Sequence, residues 1–416
     1  MDDRALLTEL FAAAVEAADP MRALAAHLPE RPEGRTVVVG CGKGAAQLAA
    51  AFEELWDAPL EGVVVTRYGY AAPTRRIRVM EAAHPIPDGA GVLATQALFD
   101  AVEGLGPDDL VVALICGGGS ALLPAPAEGL SLEDEVALNE ALLRSGAPIG
   151  AMNAIRRCAS RIKGGGLAAA AAPVRVVSLV VSDVPGDNPA LVASGPTVPA
   201  PGGAAEAVAA LDAYGINLPP HVRRVIEDAS PPDPADPIFA RNETRVIASA
   251  AMSLEAAAAR AEALGVPAVI LSDAIEGEAA EVSRVLAAIA GECGARSRPF
   301  APPVVILSGG ETTVTIRGDG GRGGRNSELA LSFALASEGR EVLLLAADTD
   351  GIDGSEDNAG AFADGGTAAR MRAAGVDPAM TLVRHDAWGA FEASEDLFVT
   401  GPTGTNVNDF RAILVR

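Results

Sequence analysis

The residues that could do chemistry in this chain gather at glycine-rich turns that follow apolar runs. Val37 to Ala45 reads VVVGCGKGA: three valines run into Gly40-Cys41-Gly42-Lys43-Gly44, and an alanine-rich amphipathic segment follows. Strand, tight turn and helix N-terminus in that order form a ready anion site, because N–H groups and the helix dipole point at the turn. Of the 32 Lys and Arg residues only two are lysines, Lys43 and Lys163, and both adjoin glycines. A compact ammonium can make point-charge contact with phosphate in a tight space, where a planar guanidinium cannot. The second turn, Cys116 to Ser120, reads CGGGS after the apolar run 109–115. Gly117, Gly118 and Gly119 present consecutive N–H groups with no side chains in the way, a geometry that suits phosphate or carboxylate. Ser120 as a nucleophile is set aside, since G-x-S-x-G is absent and His27, His84, His221 and His385 fall in no hydrolase order.

Acidic and basic loops complete the set. Asp183 and Asp187 follow the apolar run 174–181, and Asp348, Asp350 and Asp353 follow 341–346. Carboxylates at strand carboxyl ends of an open α/β sheet lie where ligands bind. Oxygen-only ligands favour magnesium over zinc. Each aspartate equally suits an Asx-turn or a helix cap. The spacing of Asp350 and Asp353, with no closing Glu, excludes an EF-hand. In the glycine loop RGDGGRGGR, 317–325, Arg325 stands at a helix entry, where a guanidinium can reach a transferring phosphoryl group; Arg322 reads as solvated. Arg156, Arg157, Arg161 and Lys163 form the densest basic cluster. His84 in HPIPD reads as a turn residue between prolines that could also touch substrate.

The elements that must position these groups alternate. After an amphipathic N-terminal helix come strands over 36–39 and 62–66 with a helix over 45–56 between them. A strand over 75–82 follows, then a helix capped by Asp88 and running to 102, a buried strand over 109–115, helices to about 172, and a strand over 174–181. Later strands are expected over 244–249, 267–271, 304–307, 312–316, 341–346 and 397–400, with a last strand after 409. The fold class is α/β, with parallel strands and helices on both faces. At 416 residues the chain exceeds a single core, and the proline-rich acidic stretch 227–237 is the break, giving domains 1–235 and 236–416. The net charge of −23 disfavours nucleic acid and anionic membrane as partners. Apolar stretches stop short of a membrane span and no secretory signal opens the chain, so a soluble, cytoplasmic protein is expected. Cys41, Cys116, Cys158 and Cys293 form no C-x-x-C pair and read as buried apolar residues. Base rates favour a homodimer.

Gly40-x-Gly42-x-x-Ala45 also meets the looser dinucleotide pattern. The second strand, however, ends in Thr66-Arg67 without the ribose-binding acid, leaving at best an NADP-like reading, and no P-loop is present.

Taken in order from about Leu6 to the C-terminus, VVGCGKGA, HPIPD, CGGGSALL, IRRCASRIKGGG, SDVPGDN, SGPT, GGRNSELAL, DTDGIDG and TGPTGTNVND together resemble glycerate 2-kinases of the MOFRL type. The resemblance implies a Rossmann-like N-terminal domain, a smaller α/β C-terminal domain and an active site in the cleft between them. It also implies ATP- and Mg2+-dependent phosphorylation of D-glycerate at its 2-hydroxyl, with Lys43 and Arg325 catalytic. Joined to the reading of the turns, it puts Lys43 and Arg325 on the γ-phosphate. Gly42 and Gly117 to Ser120 bind anion, Asp183 or Asp187 holds Mg2+ or acts as base, and Arg161 or Lys163 meets the glycerate carboxylate. Asp350 and Asn408 join the substrate-binding set. Relatives have been labelled hydroxypyruvate reductases, so an NAD(P)H-dependent reductase is the rival enzyme, and a sugar-acid or nucleotide sensor is the non-enzymatic one.

Overall fold

The computed structural model describes residues 2–316, 318 and 320–416. The chain forms two compact units, one of Pro20–Ile247 and one of residues 2–19 with Ala248–Arg416.

The first unit is built on β1 (Thr36–Cys41), β2 (Glu61–Arg67), β3 (Ile77–Ala82), β4 (Leu110–Ile115), β5 (Arg175–Val181) and β6 (Glu243–Ala248). They form one sheet in the order β3-β2-β1-β4-β5-β6, with β1 parallel to β2 and β4, β2 to β3, and β4 to β5. Every residue of β1 and β4 is buried, which is why both read as unbroken apolar runs rather than as alternating ones. Helices connect the strands. Asp88 caps the helix Gly89–Val102 by accepting the Gly91 N–H at 3.0 Å, as expected for a short polar side chain at that position. Strand order runs outward in both directions from β1 and β4, so the carboxyl ends of these two strands bound the switch point where ligands settle in Rossmann-like sheets.

The segment near 244–249, expected to open the second domain, instead forms the edge strand β6 of this first sheet. Asn242 Oδ1 accepts the Val176 N–H at 3.0 Å and Glu243 pairs with Arg175, anchoring β6 beside β5. The break between units thus follows Ile247, beyond the expected 235, and the proline-rich stretch lies within the first unit.

The second unit contains β7 (Ala268–Ser272), β8 (Gly277–Glu278), β9 (Val304–Gly310), β10 (Thr312–Thr313), β11 (Val342–Asp348), β12 (Gly360–Asp364), β13 (Leu397–Phe398) and β14 (Asp409–Val415). Its main sheet has the order β13-β12-β11-β14-β9-β7, and β8 and β10 make a separate small pair. Of the strand expected over 312–316, only Thr312–Thr313 is paired. In the expected loop 317–325, Arg317 and Asp319 lie outside the described residues. Because β14 runs antiparallel to both β9 and β11, those two strands end on the edge where β14 begins.

The N-terminal helix Asp3–Ala17 belongs to this second unit. Leu6, Leu7, Leu10, Phe11 and Ala14 pack with Leu254, Ala257, Ala261 and one face of the sheet. Phe11 meets Phe398 and Phe410 edge-on, with centroids 5.1 and 5.7 Å apart. Phe11→Ala should therefore destabilise the chain by about 3–5 kcal/mol, read as a lower denaturation midpoint by circular dichroism. A change within 0.5 kcal/mol would contradict this packing.

Candidate functional site

The turn after β1 is fastened to the turn after β4. Lys43 N–H donates to the Gly117 carbonyl at 2.9 Å, and Cys116 N–H to the Cys41 carbonyl at 2.9 Å. Gly42 N–H donates to Val65 of β2 at 3.1 Å, Thr66 Oγ1 to the Lys43 carbonyl at 3.1 Å, and Gly44 N–H to Cys116 Sγ at 3.2 Å. Side chains converge above this frame. Gly118 has φ +78°, and a Cβ there would stand 3.0 Å from Lys43 Cγ and 3.2 Å from His84 Nε2. A Cβ on Gly117 would collide with the Asp183 carboxylate. The ends of β1, β4 and β5 and the loop after β3 therefore bring Lys43, Gly117, Gly118, Asp183 and His84 together.

Electrostatics gives this cluster its character. Burial, reinforced by Lys43 and Arg67, lowers the His84 pKa from 6.5 to about 4, so the imidazole is neutral beside the ammonium. Burial pushes the Cys116 thiol up to about 12, making it an inert floor to the turn. All four cysteines are buried and free. At the end of β2 the Arg67 guanidinium lies 3.6 Å from the centre of the Tyr70 ring, and no acid occupies the position a dinucleotide ribose requires. Ser120 Oγ is hydrogen-bonded to Ser194 Oγ at 2.8 Å, and Ser194 Oγ in turn donates to Asn153 Oδ1 at 3.1 Å.

Two basic residues expected at this site have other duties. Lys163 is 2% exposed and salt-bridged to Glu135, whose second oxygen accepts the Ala125 N–H at 3.1 Å. A lysine so enclosed is committed, because breaking the pair would strand a buried charge. Arg161 Nε donates to the Pro126 carbonyl at 3.2 Å, and its guanidinium lies 5.7 Å from the centre of the Phe99 ring. Phe99 stands ten positions beyond Gly89 in a helix that starts at the carboxyl side of the sheet. That is about 15 Å along the axis, towards the opposite edge. Asp187 closes the tight turn Pro185–Asp187 with φ +52°.

A second constellation forms in the other unit, where β9 and β11 end and β14 begins. Arg325, the first residue of the helix Arg325–Ala336, donates from Nε to Asp409 Oδ1 and from Nη2 to Asp348 Oδ2, each at 2.7 Å. Its Nη1 lies 3.4 Å from Glu311 Oε1. Asp409 is in register with Asp348 on one side and Gly310 on the other. Arg411 binds the other Asp409 oxygen and donates to the Gly309 carbonyl at 3.0 Å. Burial works to raise the Asp409 pKa, but Arg411 and Arg325 outweigh it and hold the carboxyl below its usual range. Burial, with Asp350 next, pushes Asp348 well above.

The helix N-terminus itself is capped by Asp353, which accepts the N–H groups of Asn326 at 2.9 Å and Ser327 at 2.7 Å. Asp350 accepts the Ile352 N–H at 2.9 Å, an Asx-turn that shapes its loop. Asn408 has φ +66°, and its carbonyl takes the Thr349 N–H and hydroxyl. Arg322 is half-exposed, stacked 3.9 Å from the Trp388 ring centre, which fits the solvated reading. Among the described residues, no group of three His, Cys, Asp or Glu side chains is arranged to hold a metal ion.

Sequence reasoning missed Glu311 and Asp409 as partners of Arg325, and Arg411 as the second cation on Asp409. The only local signal was the Asn-Asp that ends TGPTGTNVND, and its meaning depends on strand pairing across roughly a hundred residues.

Comparison with known proteins identifies the family. A family described as Domain of unknown function (DUF4147) matches residues 6–227, and the MOFRL family matches residues 304–409. A protein of Agrobacterium vitis, provisionally named hydroxypyruvate reductase, is 51% identical over 415 residues, 99% of this chain and 94% of that one. The D-glycerate 2-kinase of Thermotoga maritima is 40% identical over 407 residues, 97% of this chain and 96% of that one. The crystal structure of glycerate kinase from the same organism superposes with a TM-score of 0.89 at 39% identity, covering 99% of both chains. The chain belongs to the glycerate 2-kinase family of the MOFRL type.

The neutral state of His84 has a measurable consequence. Between pH 6.5 and about 4 the unfolded chain takes up a proton that the folded site refuses. The stability associated with this group is therefore present above 6.5 and falls as pH drops through that window. His84→Asn should reduce the acid-induced fall in melting temperature between pH 7 and 4. An unchanged pH profile would place His84 in a solvated, ordinary environment.

Proposed function

We propose that this chain is an ATP-dependent kinase that phosphorylates the 2-hydroxyl of D-glycerate, giving 2-phospho-D-glycerate and ADP. The observation that carries the reading is the Lys43 side chain laid over Gly118 at the β1/β4 switch point, beside a neutral imidazole. Phosphoryl transfer is governed by positioning and by charge stabilisation of the transferring group. Lys43 supplies a point charge for the γ-phosphate. Gly117 to Ser120 let the phosphate approach the backbone, and His84 offers a hydrogen bond without adding charge; Gly42, expected to bind anion, instead gives its N–H to Val65 and lets the first turn lie against Cys116. Arg325, in the second unit, is a further cation suited to a phosphate group. The missing acid at the end of β2 and the lysine lodged in the turn count against the hydroxypyruvate reductase reading.

Magnesium brought by a nucleotide needs only one or two protein carboxylates beside phosphate oxygens. Asp183, facing Gly117, suits that role, with Asp187 four residues on. When bound, the ion neutralises charge on the phosphate oxygens. The two aspartates divide the tasks of holding it and accepting the hydroxyl proton. Among the described residues no helix is long and apolar enough to cross a membrane. The same reading places the enzyme in the cytoplasm with its ATP supply, as a homodimer on base rates.

Purified protein incubated with D-glycerate, ATP and Mg2+ should release ADP and yield 2-phosphoglycerate, identified by 31P NMR, while NAD(P)H stays unoxidised with hydroxypyruvate. Hydroxypyruvate-dependent oxidation without ADP release would overturn the kinase reading. Lys43→Met should lower kcat by about 100- to 1,000-fold, the scale for loss of one group that stabilises transition-state charge, with an unchanged far-ultraviolet spectrum. Turnover within threefold of the parent, taking roughly threefold as insignificant against that scale, would remove Lys43 from the phosphate.

A further inference from the structure

Among the described residues three carboxylates surround Arg325, and they are not equivalent. Asp409 and Asp348 sit opposite each other on paired strands, so the sheet itself fixes their separation. Their side chains are 0% and 7% exposed, and each bonds the guanidinium at 2.7 Å, one at Nε and one at Nη2. Asp409 is further immobilised, with one oxygen shared between Arg325 and Asn326 Nδ2 and the other taken by Arg411. Glu311 differs on every count. It lies beyond the end of β9, its side chain is 54% exposed, and it stands 3.4 Å from Nη1. The residue before it, Gly310, has φ +115° and packs so closely on Ile275 that a Cβ would strike the Ile275 backbone. That turn carries the chain out of the sheet and leaves the Glu311 side chain on the solvent side.

We propose that Glu311 is the protein's own stand-in for a phosphate oxygen at Arg325, displaced when a phosphate group arrives, while Asp348 and Asp409 are positioning residues that hold the guanidinium in place. The inference rests on the reading of Arg325 as a phosphate-contacting cation. A guanidinium presents five N–H donors in a rigid fork. With the Nε and Nη2 positions committed to strand-borne aspartates, Nη1 is the nitrogen whose partner among the described residues is a side chain free to move. The adjoining helix N-terminus offers no competing place for the anion, since Asp353 already accepts the N–H groups of Asn326 and Ser327. Before a phosphate arrives, Glu311 supplies the counter-charge that a mostly buried cation needs. A phosphate, with more charge and more acceptor oxygens, replaces it and is matched to the same fork. The high pKa direction of Asp348, set by burial and Asp350, lessens the negative charge that an incoming phosphate meets.

The test is equilibrium binding of inorganic pyrophosphate to the full chain by titration calorimetry at low ionic strength, comparing the parent with Glu311→Gln and Glu311→Ala. Removing a competing internal anion should tighten pyrophosphate by about two- to fivefold, the size set by one exposed ion pair, and the gain should shrink with added salt. Damage to the fold would weaken binding, so the sign of the change separates the two causes. Glu392→Gln removes an equally exposed acid paired with Arg322 and should leave the affinity unchanged. Unchanged or weaker binding in both Glu311 variants, or equal tightening in Glu392→Gln, would overturn the proposal. The readout needs no turnover. If the parent fails to phosphorylate D-glycerate and Glu311→Gln still tightens pyrophosphate, the kinase reading falls and this one stands.

Discussion

The hydrogen bond from the Lys43 peptide N–H to the Gly117 carbonyl is the constraint on which the first unit's chemistry depends. It joins the turn after β1 to the turn after β4 across the switch point, where the sheet's order reverses and a crevice opens. Because Gly42 and Gly117 lack side chains, the chain can bring two backbones together and still leave room above them. The lysine side chain fills that room. His84 and Asp183 arrive from neighbouring strand ends, and the buried Cys116 thiol closes the space beneath, accepting the Gly44 N–H. Gly117 and Gly118 are constrained by contact rather than by composition, since a methyl on Gly117 would strike the Asp183 carboxylate and one on Gly118 would press on Lys43 and His84.

The second unit solves a different electrostatic problem with the same strand-end logic. There the fixed groups are strand-borne carboxyls and the functional group is a cation held between them. Asp409 owes its ionised state to Arg411 and Arg325, which together overcome the burial that would otherwise protonate it. Carboxylates gathered at strand ends suggest a metal when read along the sequence. In the folded second unit Asp348 instead bonds a guanidinium, while Asp353 caps a helix and Asp350 shapes a turn.

The sequence was readable where structure is local. The turn at Gly40 to Gly44, the buried strand Leu110–Ile115 and the Asp88 cap each depend on a few consecutive residues, and each forms as expected. It was not readable where partners are distant. The N-terminal helix looks like the start of the first unit, yet its Leu10 and Phe11 side chains fit a surface made by residues from 254 to 414. The strand Glu243–Ala248 follows a proline-rich stretch that resembles a linker, yet it completes the first sheet. Lys163 and Arg161 stood out by charge in an acidic chain. Only the fold shows that Glu135 neutralises the first and that Phe99 and Pro126 hold the second away from the strand ends.

A chain with only two lysines allows the central claim, that Lys43 meets the nucleotide phosphate, to be read from two signals. The protein would be labelled with 13C at the lysine ε-carbon, its resonances assigned with Lys43→Arg, and a non-hydrolysable ATP analogue with Mg2+ added stepwise. The Lys43 signal should shift and saturate with nucleotide while the Lys163 signal, locked against Glu135, stays in place. A static Lys43 signal at saturating nucleotide, or a shift confined to Lys163, would contradict the account.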